Sequence, residues 1–256
     1  MYPTALFEEG GYRYIPSVFQ YSAGIAAEPG FQLVQARFKA LLPIEEAFFC
    51  IERHLKKIGR PLTAFAHCEL RSPGQFDDQG FIDFNRKYVG TLERWGIYQA
   101  ESSKGSFINP VARTNVCPEH FGPSEVEMYA FTYTIPASVD APRSFVISGG
   151  GDARSGTEPY RDRIVAYGDV SKEGLKLKME FVLREMIQRV ESLGFKWSDV
   201  TGLQAYSVHN IGSLVEEIFA KNDYLPCGLL WHFARPPVAG LDFEMDARGS
   251  VDQIFI

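Results

Sequence analysis

The sequence contains few cysteines and histidines, and neither set has the spacing of a metal site. The four cysteines are scattered without a Cys-x-x-Cys pair, which favours reduced thiols over a zinc site or a disulfide framework. The five histidines show no paired ligand spacing either. We therefore expect no bound metal. The cysteines are Cys50, Cys68, Cys117 and Cys227.

Long apolar runs and basic clusters are also missing. No stretch is long and apolar enough to span a bilayer, and the first residues lack the basic region and apolar core of a secretory signal. The formal net charge of −6 argues against a nucleic-acid or anionic membrane surface. We expect a soluble, cytoplasmic protein whose partners are small molecules or proteins.

The glycine-rich run from Gly149 to Gly156 carries no phosphate-binding signature. It lacks the Gly-Lys-Ser/Thr ending of a P-loop and the spacing of a dinucleotide fingerprint. A flexible turn is the expected structure of this run.

The chain does have enough apolar residues for two domains, together with clear helix signals. Its 256 residues are 45% hydrophobic, which suffices for one large core or two ordinary ones. Residues 43–59 open with proline and acids, close with basic residues and glycine, and space their apolar residues at helical intervals. This pattern predicts an amphipathic helix. Residues 81–95 and 172–193 predict two more.

The order of the predicted elements repeats between the two halves of the chain. Each half reads strand, strand, helix, strand, helix, strand, strand, and a repeat of this length indicates tandem copies of one domain. The matched positions are Ser22 with Ser148, Gly59 with Gly194, Glu127 with Glu244, and the strand 65–70 with the strand 202–208.

This pattern predicts an α+β fold with two tandem domains, each a mixed sheet with two helices on one face. The strand pattern breaks around Pro136 and Asp140, so we place the domains at 1–138 and 139–256. The sheet face without helices must then be buried against the other domain or another subunit.

The stretch 109–133 carries an isolated arginine between two strand-like runs. Arg113 lies in the first run, and Glu127 opens the second after a turn rich in proline and glycine. A hairpin would present both side chains on one face, where they could hold an acidic substrate and move a proton. From its surroundings alone, Arg113 is better explained as an ordinary surface or inter-strand ion-pair residue. Glu127 and Glu244 could each equally be a strand end that faces solvent.

Several short motifs resemble those of one family. The second half contains Phe-Val-Ile-Ser-Gly-Gly at 145–150, and Ala-Arg-Pro-Pro and Phe-Glu-Met-Asp-Ala within 225–247. Together they resemble the RidA-like (YjgF-type) enamine/imine deaminases, whose domain is similar to the chorismate mutase type of fold. The resemblance covers nearly all of both halves. In size and tandem plan the chain looks most like the two-domain 2-aminomuconate and 2-amino-5-chloromuconate deaminases of aromatic degradation.

The resemblance implies a set of site residues in the first half. Ala-Arg-Thr at 112–114 fits the family's Ala-Arg-Ser/Thr motif, so Arg113 takes the place of the arginine that binds the substrate carboxylate. By the same comparison, Asn85 fits the family's active-site asparagine. Ser22 fits the serine of its Ser-Gly-Gln motif, and Glu127 fits its catalytic glutamate. Two departures from the pattern are Ala23-Gly24 in place of Gly-Gln and Tyr129 in place of a second acid.

In the second half, Gly228 stands where the family has its arginine. The family's pocket lies between neighbouring domains, so the resemblance implies that Ser148, Gly149 or Glu244 completes the site of Arg113. It also implies a homo-oligomer of the trimer type.

These residues together predict a cofactor-independent hydrolytic deaminase. Its substrate would be an enamine or imine carboxylate such as 2-aminomuconate or a chloro derivative, and its products ammonia and a 2-oxo acid. Arginine suits the carboxylate because its planar fork binds through two charge-assisted hydrogen bonds. Glu127 or Glu244 would move the proton, and Asn85 would position water. The alternatives are a chorismatase-like hydrolase or lyase on a cyclic enol-ether acid, and a non-catalytic acid-binding or scaffold protein.

Overall fold

The computed structural model describes residues 1–100, 107–156 and 158–256. Its helices are α1 (Ile44–Lys57), α2 (Asp78–Arg94), α3 (Tyr160–Arg163), α4 (Lys172–Ser192) and α5 (Gly212–Leu214). No helix within these described residues is long and apolar enough to cross a membrane.

The strands fall into the two halves that the sequence pattern indicates. In the first half they are β1 (Ala5–Phe7), β2 (Tyr12–Tyr14), β3 (Gly24–Ala27), β4 (Phe31–Pro43), β5 (Phe65–Arg71), β6 (Gln99–Ala100), β7 (Phe107–Ile108), β8 (Ala112–Pro118) and β9 (Glu127–Pro136). In the second half they are β10 (Phe145–Gly151), β11 (Gly202–Tyr206), β12 (Leu230–His232), β13 (Ala234–Arg235), β14 (Glu244–Gly249) and β15 (Asp252–Phe255).

Two large sheets share a common plan. The first runs β13-β8-β5-β9-β4-β15, and the second runs β1-β2-β3-β10-β14-β11-β12. Within them, β4-β9-β5-β8 and β10-β14-β11-β12 have the same order. The first strand of each set precedes a long helix in the chain, directly for β4 and α1 and after the short helix α3 for β10 and α4. The mixed α+β class predicted from the sequence is confirmed.

The predicted helices form where their signals place them. α1 buries Phe48, Ile51 and Leu55 against the first sheet and carries acidic residues in its first turn. α4 starts at a Ser171 cap that accepts a hydrogen bond from Gly174 N–H. Both helices end just before a glycine at positive φ, which accommodates the left-handed turn at a helix end: Gly59 at 69° and Gly194 at 83°.

The hairpin predicted for 109–133 is wrong. β8 and β9 are not neighbours, because β5 lies between them, parallel to β8 and antiparallel to β9. The α2 connection carries the chain from β5 across to β8, and a crossover of this length permits a parallel pair. Arg113 pairs with Cys68 on one side of β5, whereas Glu127 pairs with Arg71 on the other.

At residue level the predicted match of Glu127 with Glu244 holds, as does that of Gly59 with Gly194, whereas the match of Ser22 with Ser148 does not. Glu127 and Glu244 each open the matching strand of their sheet, just beyond a register shift in the neighbouring strand. Ser148 lies in β10, whose counterpart by sheet position is β4, while Ser22 precedes β3. The expected match of Ser22 with Ser148 is therefore wrong, and the two serines are instead neighbours in space.

The halves also exchange strands. β1 to β3 extend the sheet of the second half, while β13 and β15 pair with β8 and β4 of the first. The expectation that each half builds its own sheet holds only for the four central strands.

A polar layer joins the two sheets. Arg248 on β14 donates to Glu69 on β5 at 2.9 Å, and Thr114 on β8 donates to Asp246 at 3.0 Å. Burial disfavours the charge of Glu69, but Arg248 and Arg71 outweigh it and hold the pKa of this carboxyl at about 2. These contacts bring β8 against β10 and β14, and so place the arginine of one half beside the glutamate of the other.

Candidate active site

Arg113 is buried and has no carboxylate partner among the described residues. Its side chain is 2% exposed, and its backbone N–H donates to Ser148 Oγ at 3.0 Å. The guanidinium makes no hydrogen bond to a described residue, and Nη1 is fully buried. Leaving a buried charge uncompensated is costly. The guanidinium of Arg113 is therefore a candidate for binding an anionic ligand that would compensate its charge. Four aromatic rings surround the guanidinium carbon: Tyr21 and Tyr88 at 4.9 Å, Phe84 at 5.7 Å and Phe81 at 5.9 Å.

Helix α2 supplies most of this aromatic wall. Phe81, Phe84 and Tyr88 recur at helical spacing, so one face of the helix turns three rings toward Arg113. Asn85 is buried on the same helix, where its Nδ2 donates to Phe81 O at 2.7 Å and its Oδ1 has no partner. Its side chain is bound back to its own helix and does not line the pocket that the described residues form around Arg113.

Arg113 opens on a cavity of about 140 Å³. Pockets for drug-sized ligands typically measure about 300–1,000 Å³, so this one suits a small molecule. The polar residues in its wall are Ser17, Tyr21, Arg113, Asn115, Arg154, Ser155, Tyr160, Arg163, Arg189 and Glu244, and Gly149–Gly151 also line it.

Glu244 faces Arg113 across this cavity. Glu244 is 4% exposed. Its carboxyl forms neither an ion pair nor a hydrogen bond within the described ranges. Burial, followed by the charges of Asp246 and Asp152, raises the pKa of Glu244 well above its ordinary value, against the opposing effect of Arg113 and Arg189. This environment favours the protonated acid, which is the form that can donate a proton.

The glycine run is not the flexible turn predicted from the sequence. Gly149–Gly151 belong to β10 and make room for the site. A Cβ at Gly149 would collide with Glu244 Oε1, and a Cβ at Gly150 would lie 2.9 Å from Arg189 Nη1. The glycines therefore let two charged side chains approach the strand closely.

A buried ion network supports the strand that carries Glu244. Lys178 is fully buried on α4, and its Nζ contacts Asp152 Oδ2 at 2.8 Å and Asp242 Oδ2 at 3.1 Å. Asp152 Oδ1 accepts from the backbone N–H groups of Asp242 and Phe243. The network thus joins the end of β10 to the residues just before Glu244.

Hydrogen bonds of Ser22 and Ser148 hold the strand that carries Arg113. Ser22 Oγ donates to Pro110 O at 2.9 Å, and Ser148 Oγ donates to Ser22 O at 2.6 Å while it accepts from Arg113 N–H. Both side chains are fully buried, and neither lines the cavity among the described residues. The structure therefore places them where they fix the strand of Arg113, not where they would touch a ligand.

Glu127 is not brought to the cavity. It is half-buried at the start of β9, beside Arg71 and Pro43 in the strand register. Of the predicted residues, the structure gathers Arg113, Gly149 and Glu244 in one pocket and leaves Glu127 outside it. Of the two glutamates that the sequence offered, Glu244 is the one that lines the cavity of Arg113.

Several residues of the pocket were missed from the sequence. Asn115 is 4% exposed and keeps its Nδ2 without a partner, while its Oδ1 accepts from Ser72 Oγ at 2.9 Å. Its place two residues after Arg113 on the same strand is a signal that period-two alternation could have supplied. Tyr21, Tyr160, Arg163 and Arg189 carried no such signal.

The described part of the chain contains no group of three or more His, Cys, Asp and Glu side chains that could hold a metal ion. A guanidinium and a carboxyl, both buried and both without a partner among the described residues, thus line one small pocket. Comparisons with known proteins identify the family. The family model described as 2-aminomuconate deaminase CnbZ matches residues 4–254, so the chain belongs to this deaminase family.

A curated relative agrees with this assignment. The 2-amino-5-chloromuconate deaminase of Comamonas testosteroni is 55% identical over 249 residues, which cover 97% of each protein. The RidA-like deaminase predicted from the sequence motifs is thus confirmed at the level of the family.

Solved structures give more distant likenesses. A chorismatase is 14% identical over 89% of this chain and 77% of its own, with a TM-score of 0.47. A member of the YjgF/YER057c/UK114 family from Mycobacterium tuberculosis is 16% identical over 41% of this chain and 77% of its own, with a TM-score of 0.28.

Proposed function

We propose that the protein is a cofactor-independent hydrolytic deaminase of an aminomuconate-type enamine or imine carboxylate, as its family and its curated relative suggest. The observation that carries this proposal is the cavity in which Arg113 and Glu244, both buried and both unpaired, face the same space. The guanidinium matches a substrate carboxylate in charge and in shape.

The reaction needs one group that both gives and takes a proton. Protonated Glu244 donates to the enamine carbon, which leaves an iminium ion and a Glu244 carboxylate. Water then attacks the iminium carbon as the carboxylate takes a proton from it. Transfer of that proton to nitrogen lets ammonia leave as the C–N bond breaks. The hydroxyl proton then returns to the Glu244 carboxylate, which gives the 2-oxo acid and restores the protonated acid. General acid–base help of this kind is typically worth about 10²–10⁴ in rate.

Asn115 takes the part that the sequence motif assigned to Asn85. Its Nδ2 is a buried donor without a partner, and its side chain lines the cavity beside Arg113. Such a donor can orient the attacking water or hold a carboxylate oxygen. Asn85, bound to its own helix, instead supports the aromatic wall.

We also propose that the halves, 1–138 and 139–256, descend from one RidA-like domain. The equal order of β4-β9-β5-β8 and β10-β14-β11-β12 supports this. The register of β12 with β11 places Gly228 and Leu229 around the position of Arg113. Neither side chain carries a charge, so the second copy offers no carboxylate anchor. Each chain would therefore have one active site, at the junction of its two halves.

The same plan predicts a homo-oligomer. β12 is an outer strand of its sheet, and Leu230, Trp231 and the nearby Phe233 are 58%, 39% and 52% exposed. Open strand edges with apolar side chains favour association. We expect light scattering to give a mass that is a multiple of 28.8 kDa; a monomer at micromolar concentration would contradict this.

Gly149→Ala should disable the site without unfolding the protein. The added methyl group would collide with Glu244 Oε1, so the carboxyl must turn away from the substrate. A displacement of this kind can lower kcat/KM by about 100-fold. Gly90→Ala is the matched control, because a Cβ there meets open space on α2. Equal activity of the two variants would show that the position of Glu244 is unimportant.

The direct test of the function is turnover by the purified protein. With 2-aminomuconate or its 5-chloro derivative, we expect the conjugated absorbance to fall and ammonia to appear in equal amount. Chorismate, assayed in parallel, tests the chorismatase alternative. No ammonia from either aminomuconate, with Arg113→Ala indistinguishable from the original protein, would overturn the proposal.

A further inference from the structure

The cavity carries more positive charge than one carboxylate can balance. Arg113, Arg154, Arg163 and Arg189 line it, against the single carboxyl of Glu244. None of these four arginines forms an ion pair with a carboxylate within the described ranges, although others do, such as Arg235 with Glu119 at 2.6 Å and Arg248 with Glu69 at 2.9 Å. A pocket of this composition attracts a ligand with more than one negative charge.

Arg189 is the arginine best placed for a second anionic group. It lies in the last turn of α4 and reaches the cavity past Gly150, where the missing Cβ leaves it room. The one hydrogen bond of its guanidinium to a described residue runs from Nη1 to Ser148 O and is long, at 3.4 Å. Its other N–H groups stay available to a ligand.

The remaining two arginines are less suited to this role. Arg163 Nε and Nη1 donate to the backbone oxygens of Glu158 and Arg154 at 2.8 and 2.9 Å, which ties its guanidinium to the surrounding loop. Arg154 is an exposed residue. Arg189, by contrast, extends from a long helix, and a rigid support holds a binding group more accurately.

Arg113 and Arg189 both lie close to Glu244 and Tyr21. The charges of both reach the Glu244 carboxyl and the Tyr21 hydroxyl, so both guanidinium groups lie around the space that Glu244 faces. A linear diacid bound by its two ends would present its middle carbons to this acid.

We propose that Arg189 binds the second carboxylate of a dicarboxylate substrate whose first carboxylate is held by Arg113. The inference rests on the proposed deaminase function and adds to it the residue that selects diacids over monoacids. Held at both ends, the conjugated chain cannot slide, and the enamine carbon stays within reach of the proton of Glu244.

The test uses two unreactive ligands with the same conjugated six-carbon chain. Muconate has a carboxylate at each end, and sorbate has a methyl group in place of one of them. By calorimetry, the unmodified protein should bind muconate about 10- to 100-fold more tightly than sorbate, the value of one hydrogen-bonded ion pair. Arg189→Gln should abolish this preference and leave the affinity for sorbate unchanged, whereas Arg113→Met should weaken both ligands.

Two further variants separate binding from general structural effects. Arg184→Gln changes an exposed arginine on the same helix and should keep the full preference for muconate. Arg189→Lys keeps the charge without the planar guanidinium and should keep part of the preference for muconate. If Arg189→Gln still prefers muconate, or the unmodified protein does not distinguish the two acids, the inference is wrong. Ammonia release from aminomuconate by the unmodified protein would still support the proposed function in that case.

Discussion

Glu244→Gln should lower kcat/KM by about 10²–10⁴-fold, the usual contribution of a general acid–base group. The substitution keeps the shape of the protonated side chain and removes the proton that it transfers. Binding of muconate should therefore persist, because the arginines of the cavity remain. Steady-state kinetics and calorimetry on the same preparation give both quantities.

The same variant should be more stable than the unmodified protein at alkaline pH. Burial raises the pKa of Glu244 in the folded state well above that of an exposed glutamate. Its contribution to stability is therefore fully present below the unfolded pKa, about 4.3, and is lost as pH rises through the folded pKa. Glutamine has no such loss. Thermal melts should show a gap between the two proteins that is absent near pH 4 and widens as pH rises.

Glu127→Gln is the matched control for this pair of measurements. Glu127 opens the equivalent strand of the other sheet but lies outside the cavity, so its amide should leave kcat/KM within about twofold, as expected for a substitution away from buried networks. If Glu127→Gln lost activity and Glu244→Gln kept it, the assignment of the proton-transfer group would be reversed.

Arg113→Met should lower kcat/KM about 30-fold or more, which corresponds to the 2 kcal/mol or more that removal of one member of a buried charge pair costs. The loss arises because the substrate carboxylate would enter an aromatic cage with no charge to meet it. The kcat/KM of Arg113→Lys should lie between those of Arg113→Met and the unmodified protein, since an ammonium group keeps the charge but not the two parallel hydrogen bonds.

Arg113→Met should also raise the melting temperature of the unliganded protein. The guanidinium is buried without a carboxylate partner in the described structure, and replacing such a charge with an apolar side chain of similar length removes a desolvation cost. The control is Arg86→Met on α2, where the side chain is 71% exposed. Lower stability with unchanged kinetics would mean that Arg113 is a structural residue, as one interpretation of its sequence context allows.

Much of the fold follows from short-range signals in the sequence. α1 and α4 formed within two residues of their predicted limits, because apolar spacing, end charges and terminal glycines all act locally. The repeat of element order is likewise visible in the chain, and the two sheets have the same central strand order. The exchange of β1 to β3, β13 and β15 between the sheets could not be foreseen, since any strand edge can accept any strand of suitable length.

Arg113 was singled out by its motif, but the sequence did not determine which glutamate shares its cavity. Glu127 and Glu244 occupy equivalent strand positions, and nothing in their local sequence separates them. Position along the chain favoured Glu127, only 14 residues from Arg113 in the numbering. β5, inserted between β8 and β9, moves that glutamate away.

By itself, then, the sequence determined the α+β class and membership of a deaminase family, and it predicted a repeated element order and an arginine that anchors the substrate. Only the tertiary structure decided that Glu244, and not Glu127, lines the cavity of Arg113, and that Arg189 lines it too. The physical reason is that the roles proposed for Glu244 and Arg189 depend on burial and on the absence of competing partners among the described residues. Both depend on the packing of β8 against β10 and β14, and packing between distant strands leaves no periodic trace in the chain.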